Sequence, residues 1–267
     1  GDDTLVGGGG NDHADGGSTN ETLGDTYIVT STGDDTTTNL NADGTGEVLL
    51  GTDTRTINDF EIFRFEADTV DTFEGQLDTE GLTVYAHGGN DIIKTGSGND
   101  LIDGGAGDDA MDGGGGDDTF TFDDNFGFDT VVGGETGETN GDTLDLSNVT
   151  DDLTLDMHSG SSELDPEQGS AHTDTLTQEV QFTEIENILL GSGSDFVTGS
   201  LVDDVYINTG AGIDYFTGDT GNDRYNLGDF DGDADQVFFS DGHGQDIIEG
   251  FDAPIDSIAF GQDGTDL

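Results

Sequence analysis

A period of nine residues constrains this chain more than any other feature. Residues 86–121 divide into AHGGNDIIK, TGSGNDLID, GGAGDDAMD and GGGGDDTFT. The fourth position is always glycine (Gly89, Gly98, Gly107, Gly116), the sixth always aspartate (Asp91, Asp100, Asp109, Asp118) and the eighth always apolar (Ile93, Ile102, Met111, Phe120). A fixed short period is the mark of a solenoid, in which each repeat buries its apolar face only by stacking on its neighbours.

Each column has its own physical reason. Glycine reaches φ > 0 and lets backbones approach closely, as a tight turn between stacked coils requires. An apolar eighth residue reads as the centre of a short strand, its side chain inward and its two neighbours outward. One strand and one turn take about nine residues, so two repeats close a flattened coil of about 18, and rungs stack at ~4.8 Å. Asp91 is thereby expected beside Asp109, and Asp100 beside Asp118. Carboxylates so close repel one another, and a divalent cation between them turns that repulsion into coordination.

The register returns at residues 190–226 in LGSGSDFVT, GSLVDDVYI, TGAGIDYFT and GDTGNDRYN, with Asn208 as one extra residue. Asp195, Asp204, Asp214 and Asp223 fill the sixth column there, and Val197, Tyr206, Phe216 and Tyr225 the eighth. A partial block opens the chain, with Asp3 and Asp12 in phase and Asp25 following after an expansion. Asp129 (GFDTVVGG) and Asp246 (GQDIIEG) read as isolated members. Residue 1 falls within a repeat, so the natural chain is expected to extend further toward its N-terminus.

Charge points the same way. Sixty-one acidic residues face only Arg55, Arg64, Lys94 and Arg224, for a net charge of −57. Self-repulsion of that size opposes a compact state unless cations neutralise it. With no basic patch to replace counterions, nucleic acid is not an expected partner. No run of 18 apolar residues or signal peptide is present, so membrane insertion is not expected. Cysteine is absent, which removes disulfides and thiolate metal sites. Calcium suits what remains: it takes six to eight oxygen ligands at roughly 2.3–2.6 Å from carboxylates and carbonyls, whereas magnesium demands a stricter octahedron. Several Ca2+ ions are the expected cofactor.

In these repeats the chain resembles the RTX (repeats-in-toxin) family, whose unit is GGxGxDxUx. The resemblance implies an all-β parallel β-roll, a β-helix solenoid in which calcium is held by sixth-position aspartates of stacked turns and by carbonyls of glycine-rich positions. Gly89, Gly96, Gly98, Gly105, Gly107, Gly114 and Gly116 are the candidate carbonyl donors in one block. Gly191, Gly193, Gly210, Gly212 and Gly221 are their counterparts in the later one. Val202 replaces the fourth-position glycine and Asp219 the second, which weakens coordination around Asp204. The family also implies type I export from a Gram-negative bacterium, unfolded, with folding in external calcium. DTLDLSNVTDDLTLDM, FTEIENILLGSGSD and DADQVFFSDGHGQDIIEGFD resemble spacers of marine alphaproteobacterial RTX proteins.

The expected organisation is a repeat block at 1–30, a β-rich spacer at 31–85, a β-roll at 86–135, a second spacer at 136–189, a second β-roll at 190–250 and a closing strand at 251–267 that includes DSIAF. Both spacers alternate β-formers and are expected to continue the solenoid as longer coils, with excursions at 31–46 and 158–175. INDFEIFRF and FTEIENILL read as counterparts. Pro166 and its polar neighbours mark an exposed loop.

A catalytic centre is not expected. His13, His87 and His243 sit at variable turn positions, while a loop is expected between His158 and His172. HExxH and GxSxG are both absent. The function expected is a secreted, calcium-rigidified structural protein of the cell exterior, such as a surface layer, matrix fibre or adhesive stalk. The alternatives are the C-terminal folding and export module of a larger enzyme or toxin, and a glycan-binding adhesion module using exposed aromatics. Self-association, end-to-end or lateral, is expected where a solenoid end exposes unpaired strand edges.

Overall fold

The computed structural model of the chain describes residues 4–7, 13–15, 26–29, 36–40, 45–50, 53–58, 60–66, 69–75, 79–134, 136–157, 167–200, 206–217, 220–228, 232–239, 243–253 and 255–260. The chain is an all-β parallel β-solenoid, without helices among the described residues. It divides into two compact units, Gly1–Thr121 with Asn125–Asp142, and Phe122–Asp124 with Thr143–Leu267.

In the first unit, one sheet stacks Thr4–Gly7, Thr26–Val29, Ile62–Phe65, Thr83–Tyr85, Leu101–Asp103 and Thr119–Thr121, all parallel. The other contains Asp71–Glu74, Ile92–Lys94, Ala110–Asp112 and Phe128–Val132, also parallel. The chain alternates between the sheets, so each coil contributes one strand to each. Within the tandem repeats the register is the one the period demands: Ile93 pairs with Met111 and Ile102 with Phe120. All four are buried between the sheets, together with Phe63, Phe73 and Val84. Burying a side chain of this size is worth about 1.5–3 kcal/mol.

The second unit repeats the plan. Thr143–Asp145, Asn187–Leu189, Tyr206–Asn208, Arg224–Asn226 and Ile247–Glu249 form one parallel sheet. Leu153–Asp156, Phe196–Thr198, Tyr215–Thr217, Gln236–Phe239 and Ser257–Phe260 stack in parallel in the other. Leu144, Ile188, Val197, Phe216 and Val237 fill the space between.

The spacers differ from their expected form in one respect. Each solenoid interrupts its parallel order with a three-stranded antiparallel insertion. In the first unit it is Thr36–Leu40, Thr45–Leu50 and Asp53–Asn58, with Asp53–Asn58 pairing back onto His13–Asp15 and Thr36–Leu40 onto Asp71–Glu74. In the second it is Leu153–Asp156, Gln168–Thr173 and Glu179–Thr183. Reversing direction twice satisfies each backbone edge within the same sheet. The excursion predicted at 31–46 therefore extends to residue 58, and the one at 158–175 spans 153–183. Pro166 lies outside the described residues. The resemblance between INDFEIFRF and FTEIENILL has a topological basis: each segment leaves the third strand of its insertion and enters a rung of the opposite sheet, with Phe60 and Ile185 buried.

Two further readings change. Tyr206 was expected to point inward, but Ile207 is the buried residue, in register with Ile188 and Tyr225. The extra residue is therefore absorbed before this strand and not after it. Ser257–Phe260, within the DSIAF segment expected to close the solenoid, is a further parallel rung of its sheet with all four side chains exposed. Residues 261–267 lie outside the described residues.

Candidate metal centres

The sixth-column aspartates form ladders along the turns. Each Oδ1 accepts a hydrogen bond from a backbone N–H one coil earlier: Asp91 N donates to Asp109 (2.8 Å), Asp109 N to Asp129 (2.8 Å), Asp100 N to Asp118 (2.8 Å) and Asp195 N to Asp214 (2.8 Å). Asp223 N donates likewise to Asp246 (3.1 Å). Asp129 and Asp246, isolated in the sequence, are thus regular rungs. Their turns are longer, and the strand register survives because the added residues stay in the turn.

Four ladder members escaped the sequence reading. Asp71 N donates to Asp91, Asp118 N to Asp142, Asp214 N to Asp235, and Asp235 N to Asp256. None lies in a glycine-rich nonapeptide. The signal that would have found them is simpler than the full motif: an aspartate two residues before a strand-centre apolar residue, as in Asp71–Phe73, Asp142–Leu144, Asp235–Val237 and Asp256–Ile258. Two ladders start without an acid, Leu82 N donating to Asp100 (2.7 Å) and Leu153 N to Asp195 (2.8 Å).

The second carboxylate oxygen is the chemically informative one. Oδ2 of Asp91, Asp109, Asp118, Asp129 and Asp195 is buried and has no hydrogen-bond partner, on residues no more than 3% exposed. An ionised oxygen in that position is costly. Burial accordingly pushes these carboxyls up from 3.8, to about 7 for Asp91, about 6 for Asp109, about 7 for Asp118, about 8 for Asp129 and about 7 for Asp195. Backbone donors oppose the rise, and neighbouring carboxylates add to it. Asp100 differs, since its Oδ2 accepts from Gly96 N (3.3 Å). Once ionised, these oxygens are hard ligands that lack a donor, the condition a calcium ion satisfies.

The glycines predicted as carbonyl donors are stacked in the same turns. Gly107 lies over the carbonyl of Gly89, Gly114 over Gly96, Gly116 over Gly98, Gly210 over Gly191 and Gly212 over Gly193, all so close that a Cβ would collide with the carbonyl oxygen. Gly105 packs in this way on His87, and Gly221 lies under Gly244. Gly107 shows why no other residue serves: its φ is 133°, outside the comfortable range of L side chains. At the first position, Gly104 and Gly113 face the open Oδ2 of Asp109 and Asp118, where a Cβ would fill the space a cation needs.

A second ladder, missed in the sequence, uses the fifth column and runs the opposite way. Asn90 accepts from Asp108 N (3.2 Å), Asn99 from Asp117 N (3.1 Å), Asp108 from Phe128 N (3.2 Å) and Asn222 from Gln245 N (3.0 Å). In the second unit, Asp152 accepts from Ser194 N (2.7 Å) and Ser194 Oγ from Ile213 N (3.3 Å). Each side chain here takes the N–H of the next coil, whereas the sixth column takes that of the previous one. Asp117 accepts three backbone N–H groups, from Thr139, Asn140 and Gly141, which holds its carboxyl below the usual range.

Asp3, Asp12, Asp25 and Asp204 lie outside the described residues. His158 is outside the described residues, and His172 lies in the strand Gln168–Thr173. His243 is bound within its turn, Nδ1 lying 3.1 Å from Asp246 Oδ2 and the ring tilted against Phe239. Among the described residues, no helix is long and apolar enough to cross a membrane.

A family model for the RTX calcium-binding nonapeptide repeat matches the chain in four copies, over residues 1–23, 85–120 and 206–234. No curated protein matches it. Of the ladder aspartates, the matched stretches contain Asp91, Asp100, Asp109, Asp118, Asp214 and Asp223 but not Asp71, Asp129, Asp142, Asp195, Asp235, Asp246 or Asp256.

Proposed function

This is an RTX calcium-binding nonapeptide-repeat protein, and on that premise we propose that it is a structural module of the cell exterior that folds and stiffens when extracellular calcium enters its aspartate ladders. Repeats of this kind are typical of secreted proteins. The buried, partnerless Oδ2 atoms of Asp91, Asp109, Asp118, Asp129 and Asp195 carry the reading.

The residues that would hold calcium are consecutive ladder members together with the glycine carbonyls stacked beside them. In the first unit these are Asp71, Asp91, Asp109 and Asp129 along one series of turns, and Asp100, Asp118 and Asp142 along the other. In the second they are Asp195, Asp214, Asp235 and Asp256, and Asp223 with Asp246. Calcium supplies charge neutralisation and cross-linking between coils. The protein contributes preorganisation: Oδ1 is already fixed by a backbone N–H, so the carboxylate is aimed before the ion arrives. Because this role accounts for the buried acids, we assign the chain no catalytic step.

The magnitudes suit export followed by folding. Extracellular calcium modules bind with Kd of about 10⁻⁴–10⁻³ M. A site at 100-fold saturation adds about 2.7 kcal/mol, so several such sites supply much of a typical total of about 5–15 kcal/mol. In calcium-poor cytoplasm the same carboxylates repel and the chain stays open for type I export. Calcium titration followed by circular dichroism, with native mass spectrometry counting ions, tests the reading. A cooperative gain of β structure with several ions bound is expected; equal β content in chelator and calcium overturns it.

A further inference from the structure

On the outer face of one sheet in the second unit, two columns of side chains hold three exposed aromatic rings and a single acid. Register aligns Thr154, Phe196, Tyr215, Gln236 and Ser257 in one column, and Asp156, Thr198, Thr217, Phe238 and Ala259 in the next. The column between them, Leu155, Val197, Phe216 and Val237, is buried, so strand alternation directs the flanking residues outward. Phe196 is 47% exposed, Tyr215 36% and Phe238 42%. Neither the core nor the calcium turns need an aromatic ring at these places.

Charge is what selects the occupant. The chain carries 61 acidic residues, yet Asp156 is the sole acid in the two columns, at one end of the face. Anionic polymers and anionic lipid surfaces are repelled by a net charge of −57. A cationic partner would be drawn to the exposed carboxylates elsewhere on the chain and not to this face. The chemistry that fits is uncharged, with apolar C–H surfaces for Phe196, Tyr215 and Phe238 to stack against and hydroxyls for Thr154, Thr198, Thr217, Ser257 and Gln236 to bond. The sheet is also regular along its axis, with rungs every ~4.8 Å, which suits an extended polymer more than a compact ligand.

We propose that this face is a platform for a neutral polysaccharide, the three aromatic residues stacking on its sugar rings. The proposal depends on the calcium reading only for the fold, and dichroism in calcium reports the fold separately. The calcium-loaded full chain is tested for retention on cellulose and chitin, with alginate as the acidic control. Retention on a neutral polymer, insensitive to salt, is expected, and a Phe196→Ala, Tyr215→Ala, Phe238→Ala triple variant should lose roughly tenfold or more in affinity with unchanged dichroism. If the triple variant loses its calcium-induced dichroism, Phe238→Ala alone is used, with Phe238→Tyr expected to restore binding. Absence of retention on both neutral polymers, or retention unchanged in the folded variant, overturns the proposal. So does a concentration-dependent dimer in sedimentation that the variant abolishes, since a second copy would then be the occupant.

Discussion

The two oxygens of a ladder aspartate have different fates. Oδ1 is fixed by a backbone N–H, while Oδ2 of Asp91, Asp109, Asp118, Asp129 and Asp195 is buried with nothing to bond. In the folded chain without calcium, these carboxyls titrate between about 6 and 8, above the ordinary 3.8. The folded state therefore binds more protons than the unfolded one across this range. The resulting stability is complete below about pH 4 and is lost as pH rises through 6 to 8. In chelator, β content should be higher at pH 5 than at pH 8, and a flat dichroism profile would refute the assignment. In calcium the dependence reverses in part, because protons compete with the ion: affinity should fall as pH drops from 8 to 5. Asp118→Asn separates the two effects. It should remove at least one bound ion and cost about 2–3 kcal/mol in calcium, yet leave the chelated protein no less stable, as read from urea melts in each condition.

At the scale of elements, strands hold register and turns absorb variation. Successive ladder aspartates are 18 residues apart at Asp100–Asp118 and 24 apart at Asp118–Asp142, while the hydrogen bond is kept. One glycine inserted between residues 136 and 140 should therefore preserve calcium-dependent folding. The same insertion within Leu101–Asp103 moves Ile102 to the outer face and should abolish it, since side chains alternate with a period of two; dichroism with and without calcium distinguishes the cases. The fifth column gives several turns a second staple of opposite sense. Asn99→Ala removes the acceptor for Asp117 N and should cost about 1 kcal/mol and raise the calcium midpoint. Asn99→Asp should restore both, because Asp108 does the same work one repeat later.

At the scale of the whole molecule, charge opposes what the core favours. The net charge of −57 sits on a chain that is 30% hydrophobic, so on the proposed function folding should depend on cation supply and not on burial alone. Chelation at neutral pH should expand the protein as well as unfold it, and small-angle scattering should show the radius of gyration rising toward unfolded values. Monovalent salt at equal ionic strength should restore little of the compaction, because screening weakens repulsion among exposed charges but places no ligand at a buried Oδ2. Two units built on one plan, each with an antiparallel insertion followed by regular coils, make the requirement a repeated one.

The period of nine was sufficient to determine the solenoid, the coil of two repeats, the inward eighth column and the pairing of Asp91 with Asp109 and Asp100 with Asp118. These properties are local and cyclic, so they are written in every repeat. Tertiary structure alone decided what happens where the repeat is broken. Asp71, Asp142, Asp235 and Asp256 enter the ladders because neighbouring strands hold their register, although their own turns lack the glycine signature. Tyr206 yields its inward place to Ile207 because the stacked strands on either side align Ile188 with Ile207 and Ile207 with Tyr225. The antiparallel insertions likewise rest on pairings with strands distant in sequence, Asp53–Asn58 with His13–Asp15 and Thr36–Leu40 with Asp71–Glu74, which no single segment encodes.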